Sequence, residues 1–226
     1  IFQSASVGST VDQEKNYISG SIISHAIIEK AGSTGAVGVI NAQNKYLVVE
    51  NTIIQQSGIH GYISQEGAVL RNLKITTLQG NGINIQKTTS SCDTYISDSE
   101  LDNINGGYGI YTNCTQASSS IDITNISVSG NRVYIHSGGN ANFQNSTIQN
   151  SANGLHIFAE ANSQPSQIVG NQIDNIISGS TIDISIRNGF YFRKNKILNS
   201  ISPITFTAYS TSTSDSYIQE NLFYNN

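Results

Sequence analysis

The chain has 226 residues, a formal charge of −4 and only 12% charged residues. Its 11 lysines and arginines are scattered, which argues against a nucleic-acid-binding surface, because phosphate recognition needs concentrated positive charge. No apolar run approaches the roughly 18 residues needed to cross a bilayer, so no membrane span is expected.

Residues 1–20 carry no sustained 3.6-residue pattern, only a polar patch at Asp12 to Asn16, and are read as an extended lead-in with one strand or a partial first coil. From there to residue 226 the chain repeats one unit, so 21–226 is read as a single domain. The clearest copy is VLRNLKITTLQGNGINIQ, residues 69–86: an apolar run closed by Asn72, a second ending at Ile75, a break at Gly80 to Gly82, and a third run, Ile83 to Ile85. Short strands recurring every 20 to 27 residues predict a solenoid stacked along one axis.

The turn positions are His25, Asn51, Asn72, Asp98, Asn125, Asn145, Asn171, Asn195 and Asn221. Apolar residues flank each one, such as Leu70 and Ile75 around Asn72, or Ile168 and Ile173 around Asn171. The flanks of the last three differ from the rest by one residue, so the turn has two variants. Asn suits a tight bend because it tolerates the left-handed region and its amide bonds nearby backbone. Stacked one per coil, these amides are expected to form a ladder directed into the turn.

Eight to twelve residues after each turn comes another strand. Its inward pairs are read as Val37/Val39, Ile59/Gly61, Ile83/Ile85, Ile110/Thr112, Val133/Ile135, Leu155/Ile157, Ile182/Ile184 and Ile204/Phe206, the period of 2 marking a strand with one buried face. The outward residues then stack into two columns. The first reads Gly38, His60, Asn84, Tyr111, Tyr134, His156, Asp183, Thr205; the second reads Ile40, Tyr62, Gln86, Asn113, His136, Phe158, Ser185, Thr207. Three of the four histidines fall here, with Arg132 and Arg187 at the margins.

Aromatic faces beside amides and hydroxyls suit sugar rings, and a long groove suits a chain of them. Asn84, Tyr111, Tyr134, His136, His156 and Phe158 are therefore candidate ligand-binding residues, and a polysaccharide or other glycan is the expected partner. The other reading is that Tyr, His and Thr favour exposed strand positions.

The Asn-Leu-Lys-Ile of residues 72–75, the Gly-Ile-Asn-Ile of 82–85 and their recurrences resemble the right-handed parallel β-helix of the pectate-lyase-like superfamily. The resemblance covers about residues 20 to 224. It implies an all-β, right-handed parallel β-helix of about nine rungs, with polysaccharide commonly held on this strand face. The fold hosts lyases, hydrolases, epimerases, tailspikes and adhesive surface proteins, so it does not select an activity.

A β-eliminating lyase needs a base and a cation for the uronate, which Tyr134, His136, His156 and an arginine would supply. A glycoside hydrolase needs two carboxylates about 5 to 9.5 Å apart, and this face offers Asp183, with Glu160 in a neighbouring loop. The polygalacturonase signatures are missing: Ile59-His60-Gly61 lacks the first Gly of Gly-His-Gly, and the chain contains no Asp-Asp. The acidic cluster of calcium-dependent pectate lyases is missing too, and no metal or other cofactor is expected. An ice-binding face would need a regular Thr-x-Thr array, which these columns do not supply apart from Thr205 and Thr207.

Cys92 and Cys114 lie about one coil apart, in loops of neighbouring rungs; a disulfide and two free thiols both fit, and a bridge favours an oxidising compartment. Three N-glycosylation sequons exist, at Asn113, Asn125 and Asn145. With the ladder directed inward, only Asn113 remains a candidate. The chain begins at Ile1, has no Met and shows no capping helix, so a processed chain or a segment of a longer one is expected, with coil ends that meet partners or a second copy. The expected function is a glycan-binding or structural β-helix at the cell or virion surface, an adhesin, fibre or tailspike-like subunit. The alternative is a polysaccharide lyase, hydrolase or epimerase.

Overall fold

A computed structural model of the chain describes residues 7–31, 38–43, 45–105, 107–160, 164–187, 189–201, 203–208 and 215–226. Among them every regular element is a β-strand, and no helix is long and apolar enough to cross a membrane. One antiparallel pair, Thr10–Val11 with Tyr17–Ser19, closes around the polar patch. There the Asp12 carboxylate accepts from the Asn16 backbone at 2.7 Å and from its amide at 3.0 Å. The expected single lead-in strand is thus a small hairpin, and Arg71 holds it against the solenoid through the Lys15 carbonyl.

All other pairing is parallel and joins equivalent positions of successive coils, as in Leu70 on Ile96 and Ile96 on Ile123. The molecule is a parallel β-solenoid of about eight turns, close to the nine expected. Each turn has three strand segments, as in Thr94–Ser97, Glu100–Ile104 and Tyr108–Cys114. The first two segments stack into a 16-stranded sheet and the third into an 8-stranded sheet. Inward residues form continuous apolar columns: Leu70, Ile96, Ile123, Phe143, Ile168 and Phe192 lie one upon another and are all buried. Each such side chain contributes about 1.5–3 kcal/mol through burial.

Two left-handed residues make the bends between the segments, always five positions apart. The nine pairs are His25/Lys30, Asn51/Gln56, Asn72/Thr77, Asp98/Asn103, Asn125/Gly130, Asn145/Asn150, Gly170/Asn175, Lys194/Asn199 and Glu220/Asn225, with φ from 49° to 79°. The expected turn column lies at or one residue after the first bend of each pair, and the second bend was not expected. Asn72, Asp98, Asn125 and Asn145 are themselves the left-handed residues, and they are exposed. Asn171 and Asn195 follow the left-handed residue instead and are buried, each 1% exposed.

That shift by one accounts for the two turn variants. It also corrects the expectation that Asn125 and Asn145 point into the turn. The buried ladder is a feature of the later coils: the Asn171 backbone and amide nitrogens both donate to Asn195 Oδ1 at 3.0 Å, and those of Asn195 donate to Asn221 Oδ1 at 3.0 and 3.1 Å.

Candidate functional site

The third-segment sheet aligns most of the outward columns as expected. Asn84, Tyr111, Tyr134, His156, Asp183 and Thr205 are in register, and so are Gln86, Asn113, His136, Phe158, Ser185 and Thr207. The first two coils depart from the expected register. Ile40 pairs with Tyr62 and Tyr62 with Ile83, which places Ile40 and Tyr62 in the buried column, 3% and 0% exposed. The residue in register with Asn84 is Ile63, not His60. Gly61 and Tyr62 both face the core, so the alternation breaks between them, which counting by twos from Ile59 does not detect. Of the expected inward residues, Val37 lies outside the described residues, and Val39 packs against the core only in part.

At the centre the rings form a stack along the solenoid axis. Tyr111 and Tyr134 lie 5.0 Å apart and Tyr134 and His156 4.7 Å apart, each pair within 12° of parallel. Neighbouring rings therefore cover both faces of Tyr134, and its edge is what a ligand would meet. This differs from the expected platform of open aromatic faces. Tyr108, which the sequence reading did not single out, stands edge-on to Tyr111 and Tyr134 at 5.0 and 6.1 Å, with the Arg132 guanidinium 3.9 Å from its ring centre. A register shift at Gly109 brings Tyr108 beside Arg132, and the Gly-Tyr-Gly of residues 107–109 was its only trace in the sequence.

His156 Nδ1 lies 3.1 Å from Asp183 Oδ2. Nδ1 donates to the carboxylate, which leaves Nε2 as the basic nitrogen when the ring is neutral. Burial pulls the His156 pKa below the usual 6.5 against the opposing attraction of Asp183, and nearby Arg132 adds to the lowering. Burial raises the Tyr134 hydroxyl above its ordinary value, with Tyr111 and Tyr108 acting in the same direction. Arg132, Tyr108, Tyr134, Leu155, His156 and Asn153 line a cavity of about 240 Å³. In the adjoining column His136 sits edge-on to Phe158 at 4.7 Å and reaches Glu160 at 3.4 Å.

The structure therefore brings Tyr134, His156 and Asp183 into one group, and His136, Phe158 and Glu160 into another beside it. Among the described residues no group of three or more His, Cys, Asp or Glu side chains is arranged to hold a metal ion. Asn113 is half-buried between Gln86 and His136, with its Oδ1 sealed from solvent, so it is the least open of the three sequon asparagines. Cys92 and Cys114 are joined in a disulfide, and both are fully buried.

Searches of protein-family models, of curated proteins and of solved structures each find no match. The fold thus defines the class, a parallel β-solenoid.

Proposed function

We propose that this protein is a glycan-binding β-helix of an extracellular, cell-surface or virion-surface structure, and that saccharide lies along the third-segment sheet. The observation that carries the reading is the row Tyr111, Tyr134, His156, Asp183, in which hydrogen-bonding groups repeat once per strand spacing of about 4.8 Å. Such a row offers a donor or acceptor to each successive residue of an extended chain. Phe158 in the second column adds apolar surface for a sugar C–H face. The Cys92–Cys114 disulfide supports an oxidising compartment. Likeness to the pectate-lyase-like superfamily belongs to the same proposal and is supported by the parallel coil with asparagine at its bends.

A glycan array with a product assay on every hit tests it. Binding without new reducing ends or unsaturated products is the expected result, and Tyr134→Ala should weaken it about tenfold or more. Depolymerisation of a bound polysaccharide would overturn the non-enzymatic reading. It would favour the lyase, hydrolase or epimerase alternative, whose support is the His156–Asp183 pair: a carboxylate that orients a neutral imidazole is the arrangement of a general base. Loss of turnover in His156→Ala, with the coils intact, would then place His156 in the reaction.

Contact of the coil ends with a second copy or with other chains or domains belongs to the same proposal. Ile218 and Phe223 continue the columns of Phe192 and Ile197, and a further coil of this or another chain would stack on them. Sedimentation showing a stable monomer at micromolar concentration would remove the second-copy part.

A further inference from the structure

One end of the outward columns opens into a larger cavity, of about 510 Å³, that the Tyr/His group does not touch. We infer that it is the subsite for one neutral sugar residue, the terminal unit of the chain whose remainder runs along the Tyr/His columns. The inference rests on the glycan reading and names the chemistry of its end.

The position follows from register. Asn84 and Gln86 line the cavity, and they pair directly with Tyr111 and Asn113 of the next coil. A chain lying on the columns therefore runs into the cavity without changing direction. The volume falls within the ordinary range of small-ligand sites, about 300–1,000 Å³.

Its lining is built for a neutral, hydroxyl-rich ligand. His60 Nδ1 accepts the Asn81 backbone N–H at 2.7 Å, so the ring proton sits on Nε2, a fixed donor. The backbone at Gly80 approaches the imidazole so closely that a Cβ there would lie 2.7 Å from Nδ1, which locks the ring in place. Protonating the ring would set two N–H groups against each other at Nδ1. Burial disfavours the charged form as well.

Gln86 Nε2 donates to Asn84 Oδ1 at 2.9 Å, which orients the two amides and leaves Asn84 Nδ2 as a donor and Gln86 Oε1 as an acceptor. Ile63 supplies the apolar patch. Lys87, the one cationic side chain of the lining among the described residues, is paired with Glu66. A uronate carboxylate would find no unpaired cation here, whereas a neutral hexose finds donors, acceptors and a hydrophobic contact.

The test is an NMR titration of the whole chain with tetrasaccharides of glucose, galactose, mannose and N-acetylglucosamine, and with a galacturonic acid tetramer, following the ring signals of His60 and Tyr134. A neutral tetramer that binds should move both sets, and Gln86→Leu should weaken that binding about tenfold. Three results would overturn the inference while leaving the glycan reading in place: movement at Tyr134 without His60, stronger movement of His60 with the uronic acid, or unchanged affinity in Gln86→Leu. If none of the saccharides moves either set, both readings fall together.

Discussion

The earlier and later coils make the same bends from different residues. Around residues 72–145 the left-handed position is an exposed Asn or Asp, and the residue after it is Leu73, Ser99, Ile126 or Ser146, all buried. Around residues 170–221 the left-handed position is Gly170, Lys194 or Glu220, and an asparagine follows it inward. In the first arrangement asparagine relieves backbone strain. In the second it pairs buried backbone groups and leaves the strain to its neighbour. A column of one residue type therefore does not identify one structural role.

Asn195→Ala should separate the two most sharply. It removes partners from the Asn171 nitrogens and from the Ile168 carbonyl, which the Asn195 amide reaches at 2.9 Å. With each orphaned buried group costing about 1–3 kcal/mol, a loss of about 4 kcal/mol is expected in denaturant unfolding. At the first bend of the earlier coils no asparagine among the described residues follows the left-handed position, but these coils carry the covalent link. Replacing both Cys92 and Cys114 by alanine opens a loop with a sequence separation of 22 and should cost about 3 kcal/mol, checked by thermal unfolding with and without reductant.

Glycine sharpens the contrast on the strain side. Lys194 holds φ 56° with its side chain 69% exposed, so Lys194→Gly should raise stability by about 1 kcal/mol. Asn72→Gly should change it by only about 0.5 kcal/mol or less, because asparagine already tolerates the conformation, although the 2.6 Å bond from its amide to Asn51 is lost. Equal effects of glycine at the two sites would refute the assignment of roles.

The smallest expected effect is one of pH. His156 has a folded pKa below its unfolded value of 6.5, so the unfolded chain binds its proton first. Its contribution is present above pH 6.5 and fades as pH falls through that value toward the folded pKa. Protection factors of the Leu155 to Ala159 amides, after division by the intrinsic exchange rate at each pH, should fall over that interval, and His156→Gln should flatten the response.

Much of the fold was legible because stacking forces a repeat. Apolar residues at matched positions, asparagine at bends and a period of 2 in the third strand each follow from burying one face of every coil. Tyr111, Tyr134, His156 and Asp183 could be aligned by counting because the alternation is regular from Ile110 onward and in the strands that follow; the register shift at Gly109 lies before it. Counting failed at His60 and Tyr62, because Gly61 and Tyr62 both face the core and break the alternation. It failed again at Asn171, where the turn residue moves by one and the amide turns from solvent to core.

By itself, then, the sequence determined the class of fold, the coil length and the face on which polar and aromatic side chains gather. Local pattern and burial decide those. Only the tertiary structure decided which asparagines point inward, that the Tyr/His rings cover one another's faces, that Asp183 orients His156, and that a neutral His60 lines a cavity at the end of the columns. These depend on what the neighbouring coil places about 4.8 Å away, and that neighbour is some 20 to 27 residues distant along the chain.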